Sequence, residues 1–159
     1  MRTSGNYHLG FEFSVNEPLI IKGFRANFQT ANITYDFTFG TLTNVLFQTS
    51  TAISESPGWN TLMLDVPISL SINTNYILIV NMSDTKGYWD DVSNMRLVKS
   101  SKINLLYGRD GDMNSSSTYP HTRRTSDCYF VDIIYEVEDA EVIKQYRKKN
   151  GIWTEIVDE

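Results

Sequence analysis

The strongest constraint on this chain is a period-two alternation of apolar and polar residues. It centres on Pro57–Val80, PGWNTLMLDVPISLSINTNYILIV. A β-strand points successive side chains to opposite faces, so alternation marks a strand with one face in a core and one in water. Two strands are predicted in the block, Thr61–Val66 and Tyr76–Val80, joined by a connection marked by Pro67. Leu62, Leu64 and Val66 carry the alternation. Tyr76–Val80 is apolar throughout, as a central strand covered on both faces must be. Trp59 and Tyr76 read as packing anchors.

The same period recurs along the chain. Phe11, Phe13 and Val15 alternate with Glu12 and Ser14, and Phe24, Ala26 and Phe28 with Arg25, Asn27 and Gln29. Ile33, Tyr35, Phe37 and Phe39 form a third set. Tyr129, Val131, Ile133, Tyr135 and Val137 form a last one, with Asp132 and Glu136 outward. Turn signals separate the runs at Asn16-Glu17-Pro18, Ser56-Pro57-Gly58, Asn73-Thr74-Asn75 and Lys86-Gly87. Their spacing suits an antiparallel, all-β sandwich of jelly-roll type. Ser83–Asn94 and Gly108–Ser126 read as loops, the second long enough to be functional.

Residues 139–159 change character. A charged break, Glu138-Asp139-Ala140-Glu141, precedes a segment containing Asn150-Gly151. Asn-Gly is the strongest short-range hairpin signal, because both central residues of a type I′ turn need φ > 0. A two-residue turn sets Lys149 against Ile152, Lys148 against Trp153 and Tyr146 against Glu155. A helix over Ala140–Lys149 with Asn150-Gly151 as its C-cap is the competing reading. The chain therefore divides into a sandwich, 1–138, and a C-terminal hairpin or short helical tail, 139–159.

With 159 residues the chain is one domain in size and can bury a core without disulfides or metal. Apolar residues at 41% exclude a disordered protein. A net charge of −5 opposes a phosphate backbone, so no nucleic-acid partner is expected. The single cysteine, Cys128, excludes an internal disulfide and reads as a small buried hydrophobe. The start, MRTSGNYHLG, has no apolar leader region, and no run is long enough for a transmembrane helix.

The layout Gly10–Val15 (GFEFSV), Ile20–Phe24 (IIKGF), Pro57–Trp59 (PGW), Val66–Leu70 (VPISL), Thr74–Val80 (TNYILIV) and Tyr129–Tyr135 (YFVDIIY) resembles the DUF4082-type β-sandwich family. That family is similar in outline to the PHR domains of eukaryotic ubiquitin ligases. The resemblance spans roughly residues 9–136 and implies a fold and an accessory, non-catalytic role. Tyr146–Glu159, YRKKNGIWTEIVDE, is similar to the endings of bacteriophage tail, baseplate and fibre proteins. It implies assembly contacts through Tyr146, Trp153 and Ile156.

Candidate ligand residues lie in the two predicted loops. Tyr88, Trp89, Asp90 and Asp91 combine an aromatic face with carboxylates, as a sugar platform does; a loop anchored by Trp89 is the plainer reading. Tyr119, His121, Arg123 and Arg124 suit an acidic glycan or a partner's carboxylate, against a solvated loop. Asp110, Asp112 and Asn114 begin like a calcium loop. Ser115 and His121 stand where an EF-hand needs Gly and a bidentate Glu, so an EF-hand is excluded; a plain turn is preferred over a looser structural calcium site on Asp110, Asp112 and Asn114, and no cofactor is expected. Nucleophile elbows, phosphate loops and zinc spacings are absent from the sequence, so no catalysis is expected.

These resemblances imply a bacteriophage virion component: a tail, fibre or capsid-decorating protein. Its expected partners are other virion proteins or copies of itself, with cell-surface glycan as a second contact. A carbohydrate-binding module of a bacterial surface or secreted protein is the first alternative. A PHR-like protein-interaction domain is the second.

Overall fold

In a computed structural model, residues 7–82, 101–112, 122–124, 131–138, 146–149 and 152–155 are described. The fold is all-β, with no helix among these residues, and its sheets are antiparallel. The strands are β1 (Tyr7–Val15), β2 (Leu19–Phe28), β3 (Thr34–Thr41), β4 (Val45–Gln48), β5 (Ala52–Ile53) and β6 (Gly58–Leu70). They continue with β7 (Asn75–Met82), β8 (Ile103–Asp112), β9 (Thr122–Arg124), β10 (Val131–Val137), β11 (Tyr146–Lys149) and β12 (Ile152–Glu155).

A seven-stranded sheet runs β4-β3-β7-β1-β8-β9, with β5 also paired to β3. A three-stranded sheet runs β10-β2-β6. Their inner faces meet in one core. Phe24 on β2 packs at a tilt, 5.5 Å from Phe37 and 5.7 Å from Phe39 of β3. Phe39 in turn lies parallel to Tyr76 of β7 at 5.7 Å. Rings at these distances add directional contact to the burial of large apolar surface. The predicted alternation holds here: Phe24, Ala26 and Phe28, then Ile33, Tyr35, Phe37 and Phe39, are all buried.

β7 is central, between β3 and β1. Tyr76, Leu78 and Val80 enter the main core, while Ile77 and Ile79 on the opposite face are 1% and 0% exposed. Both faces are dry, as its unbroken apolar sequence requires. The Tyr76 hydroxyl accepts the Ser71 amide at 2.9 Å, fixing the turn between β6 and β7.

Four expectations are corrected. β6 does not stop at Val66; it passes through Pro67 to Leu70. Proline removes a donor, which an edge strand tolerates at a bulge; β6 is an edge, and its register on β2 shifts between Ile21 and Gly23. That bulge turns Val66 outward, 73% exposed, where alternation placed it inside. Trp59 is no core anchor either: it is 44% exposed on the outer face of β6. Finally, Gly108–Asp112 and Thr122–Arg124 are strand and not loop, since β8 pairs with both β1 and β9.

The C-terminal hairpin forms as the Asn-Gly signal requires. Tyr146 pairs with Glu155, Lys148 with Trp153 and Lys149 with Ile152. The helical alternative is excluded for Tyr146–Lys149, which is strand β11. Among the described residues, β11 and β12 pair only with each other, as a two-stranded sheet.

Candidate functional site

The outer face of the seven-stranded sheet holds an unusual group of polar side chains. Inward-pointing Leu9, Phe11, Phe13 and Val15 of β1 leave His8, Glu12 and Ser14 facing the other way. Glu12 is nonetheless fully buried. A buried carboxylate needs partners. Its first is Arg109 of β8, itself only 5% exposed, which forms an ion pair with Glu12 Oε2. The second is Arg123 of β9, whose Nε lies 3.2 Å from Oε2 and whose Nη2 lies 3.3 Å from Oε1. Asn75 of β7 approaches Oε1 at 3.5 Å.

Register explains why the carboxylate is needed. Arg109 and Arg123 are direct cross-strand partners in the β8–β9 ladder. Like charges opposite one another destabilise a sheet, and Glu12 sits where it can bridge them. Two guanidiniums thus converge on one carboxylate. Arg123 is the outer one: its side chain is 45% exposed, and its guanidinium lies over the Tyr107 ring at 4.9 Å.

Gly10 is directly opposite Arg109 on one side and Ile79 on the other. A Cβ at Gly10 would run into the Leu78 carbonyl, so the backbones of β1 and β7 approach as closely as they do only around glycine.

A second polar group occupies the same face across β7. Asn81 Nδ2 donates to Asp36 Oδ1 at 2.5 Å and to Thr38 Oγ1 at 2.9 Å. His8 lies beside them. Burial pushes its pKa below the ordinary value, outweighing the opposing pull of a hydrogen bond with Asn81 and the charge of Asp36.

The three-stranded sheet shows water a different surface. Arg25 is clamped by Asp132 through Nε at 3.1 Å and Nη2 at 2.6 Å, and stacks over Trp59 at 4.6 Å. Lys22 pairs with Glu136 at 2.6 Å. Asp132 and Glu136 point outward as predicted.

Of the predicted site residues, the structure brings Arg123 into a built cluster. Asp110 and Asp112 lie on β8, in strand and not in a calcium loop. Among the described residues, no three His, Cys, Asp or Glu side chains are placed to hold a metal ion. Tyr146 and Trp153 lie on opposite strands of the hairpin. Tyr88, Trp89, Asp90, Asp91, Asn114, Tyr119, His121, Cys128 and Ile156 fall outside the described residues. Sequence reasoning did not single out Glu12, Tyr107 or Arg109. The one available signal was Glu12 itself, a carboxylate flanked by phenylalanines in a strongly apolar strand. No protein-family model matches the chain, and no curated protein matches it significantly.

Proposed function

We propose that this chain is a non-catalytic structural component of a bacteriophage virion, in the tail, fibre or capsid decoration. The sandwich is the displayed body, and residues 139–159 join it to other virion proteins or to copies of itself. The observation that carries this reading is the hairpin β11–β12, which among the described residues forms a two-stranded sheet apart from the others. An isolated two-stranded hairpin is marginal in water, so such a segment gains its stability by docking. Its sequence, Tyr146–Glu159, is similar to endings found on phage tail and fibre proteins. Deleting residues 139–159 tests the assembly role. Sedimentation of the intact chain is expected to show a defined oligomer, and the truncated chain a folded monomer. An unchanged oligomer after deletion overturns the assembly role.

Attachment to a cell-surface glycan is the second part of the reading. Arg123 stacked on Tyr107 at a half-exposed edge favours it, because guanidinium and aromatic faces together suit polar, ring-shaped ligands. The same feature serves a carbohydrate-binding module of a bacterial surface protein. Binding by a truncated, monomeric sandwich favours that alternative.

A further inference from the structure

We propose that Arg123 forms an oxyanion site, one that takes the carboxylate or phosphate groups of an acidic surface polymer. The inference rests on the attachment role proposed above and names its ligand chemistry. A guanidinium has five N–H donors in a planar fork. In Arg123, Nε and Nη2 are turned toward Glu12. The remaining edge, which includes Nη1, belongs to a side chain that is 45% exposed.

Three features suit that edge to an oxyanion. The first is rigidity. Arg123 is held from below by a fully buried carboxylate and from the side by the Tyr107 ring, so little side-chain freedom is lost on binding. Charge is the second: Arg123 brings a half-exposed cation to a carboxylate that it shares with the buried Arg109. The third is shape, since a guanidinium edge donates two parallel hydrogen bonds to a carboxylate or phosphate. Arg109 meets Glu12 in the interior, whereas Arg123 adds a half-exposed cation on β9, which ends the sheet among the described residues.

Carboxylate and phosphate share this chemistry, so the test separates them. Calorimetric titration would use the full chain with oligogalacturonate, with oligomeric glycerol phosphate and with neutral galactose oligomers. Binding is expected for one or both anionic probes and not for the neutral one. Arg123→Gln should weaken it at least ten-fold, and raising salt should weaken it in the wild type. Arg123→Lys keeps the charge without the fork, and should recover only part of the affinity. Thermal melting of each variant checks the fold, which an exposed substitution on β9 should leave intact. The proposal is overturned if neither anionic probe binds, if the neutral oligomers bind equally well, or if folded Arg123→Gln binds as tightly as the wild type. These outcomes are independent of the deletion of residues 139–159, so either reading can fail without the other.

Discussion

Glu12 and Arg109, 97 residues apart in sequence, form an ion pair whose side chains are 1% and 6% exposed. Both charges have left water. Such a pair contributes little net stability when intact, yet losing one partner leaves a buried charge poorly compensated. Glu12→Gln is therefore expected to destabilise the fold by about 3–5 kcal/mol, read from urea unfolding midpoints. Replacing both residues, by Leu at 12 and Met at 109, should cost less than Glu12→Gln alone. If the double substitution costs the sum of the singles, the two groups are not coupled.

Gly10 and Gly58 offer a matched contrast. Both are β-strand glycines, but a side chain fails at each for a different reason. At Gly10 a Cβ meets the Leu78 carbonyl, backbone against backbone, which no rotamer can relieve. At Gly58 nothing lies within 4 Å, while φ is +105°. Gly10→Ala should cost more than about 3 kcal/mol, at or beyond the upper range of overpacking. Gly58→Ala should cost about 1–2 kcal/mol from backbone strain alone. Denaturant curves showing the two equally tolerated would place the β1–β7 approach in error.

His8 gives the fold a defined response to mild acid. Its imidazole titrates near its ordinary value of about 6.5 when unfolded, and lower when folded because burial disfavours the cation. Between those two values the unfolded state binds more protons, so stability falls as pH falls. The loss begins near the unfolded value and levels off below the folded one. His8→Asn should flatten this segment. Melting temperatures between pH 7.5 and 5.5 that keep the wild-type slope in the variant would refute the assignment to His8.

Arg25 links Asp132 and Trp59 on the outer face of the small sheet. Both charged side chains are 41% exposed, so solvent screens the pair. Arg25→Ala should cost only about 1 kcal/mol, ion pair and cation–π contact together. A double-mutant cycle with Asp132→Ala should give a coupling of about 0.5 kcal/mol that shrinks in high salt. A coupling insensitive to salt would mean that the contact is held by packing.

The contrast between β7 and β8 marks what a sequence of this kind exposes. β7 is legible because its environment is uniform: every position from Tyr76 to Met82 is buried, and every position but Asn81 is apolar. The hairpin is legible because two residues, Asn150 and Gly151, fix its register locally. β8 carries Gly108, Arg109, Asp110 and Gly111 in a row, which local propensity assigns to a turn. It is a strand because β1 and β9 supply hydrogen-bonding ladders on both sides, a tertiary effect. A register shift between Glu12 and Phe13 also breaks the alternation that would have revealed it. The Glu12 cluster was hidden for the same reason. Its members come from β1, β7, β8 and β9, and only the completed sheet brings them together.

The order of strands also governs when this chain can fold. β1 sits in the middle of the large sheet, yet both its neighbours, β7 and β8, lie far along the sequence. A ribosome that has released Tyr7–Val15 must add about a hundred residues, over several seconds, before Asp112 is available. Phe11 and Phe13 of β1 and Phe37 and Phe39 of β3 wait for β7 to emerge, and β1 waits longer still for β8 on its other side. Contacts of such long sequence separation also place folding at the slow end for domains of this size. The sheet that shelters Glu12 is thus closed late, and the emerging chain is at its most vulnerable to self-association before β8 arrives.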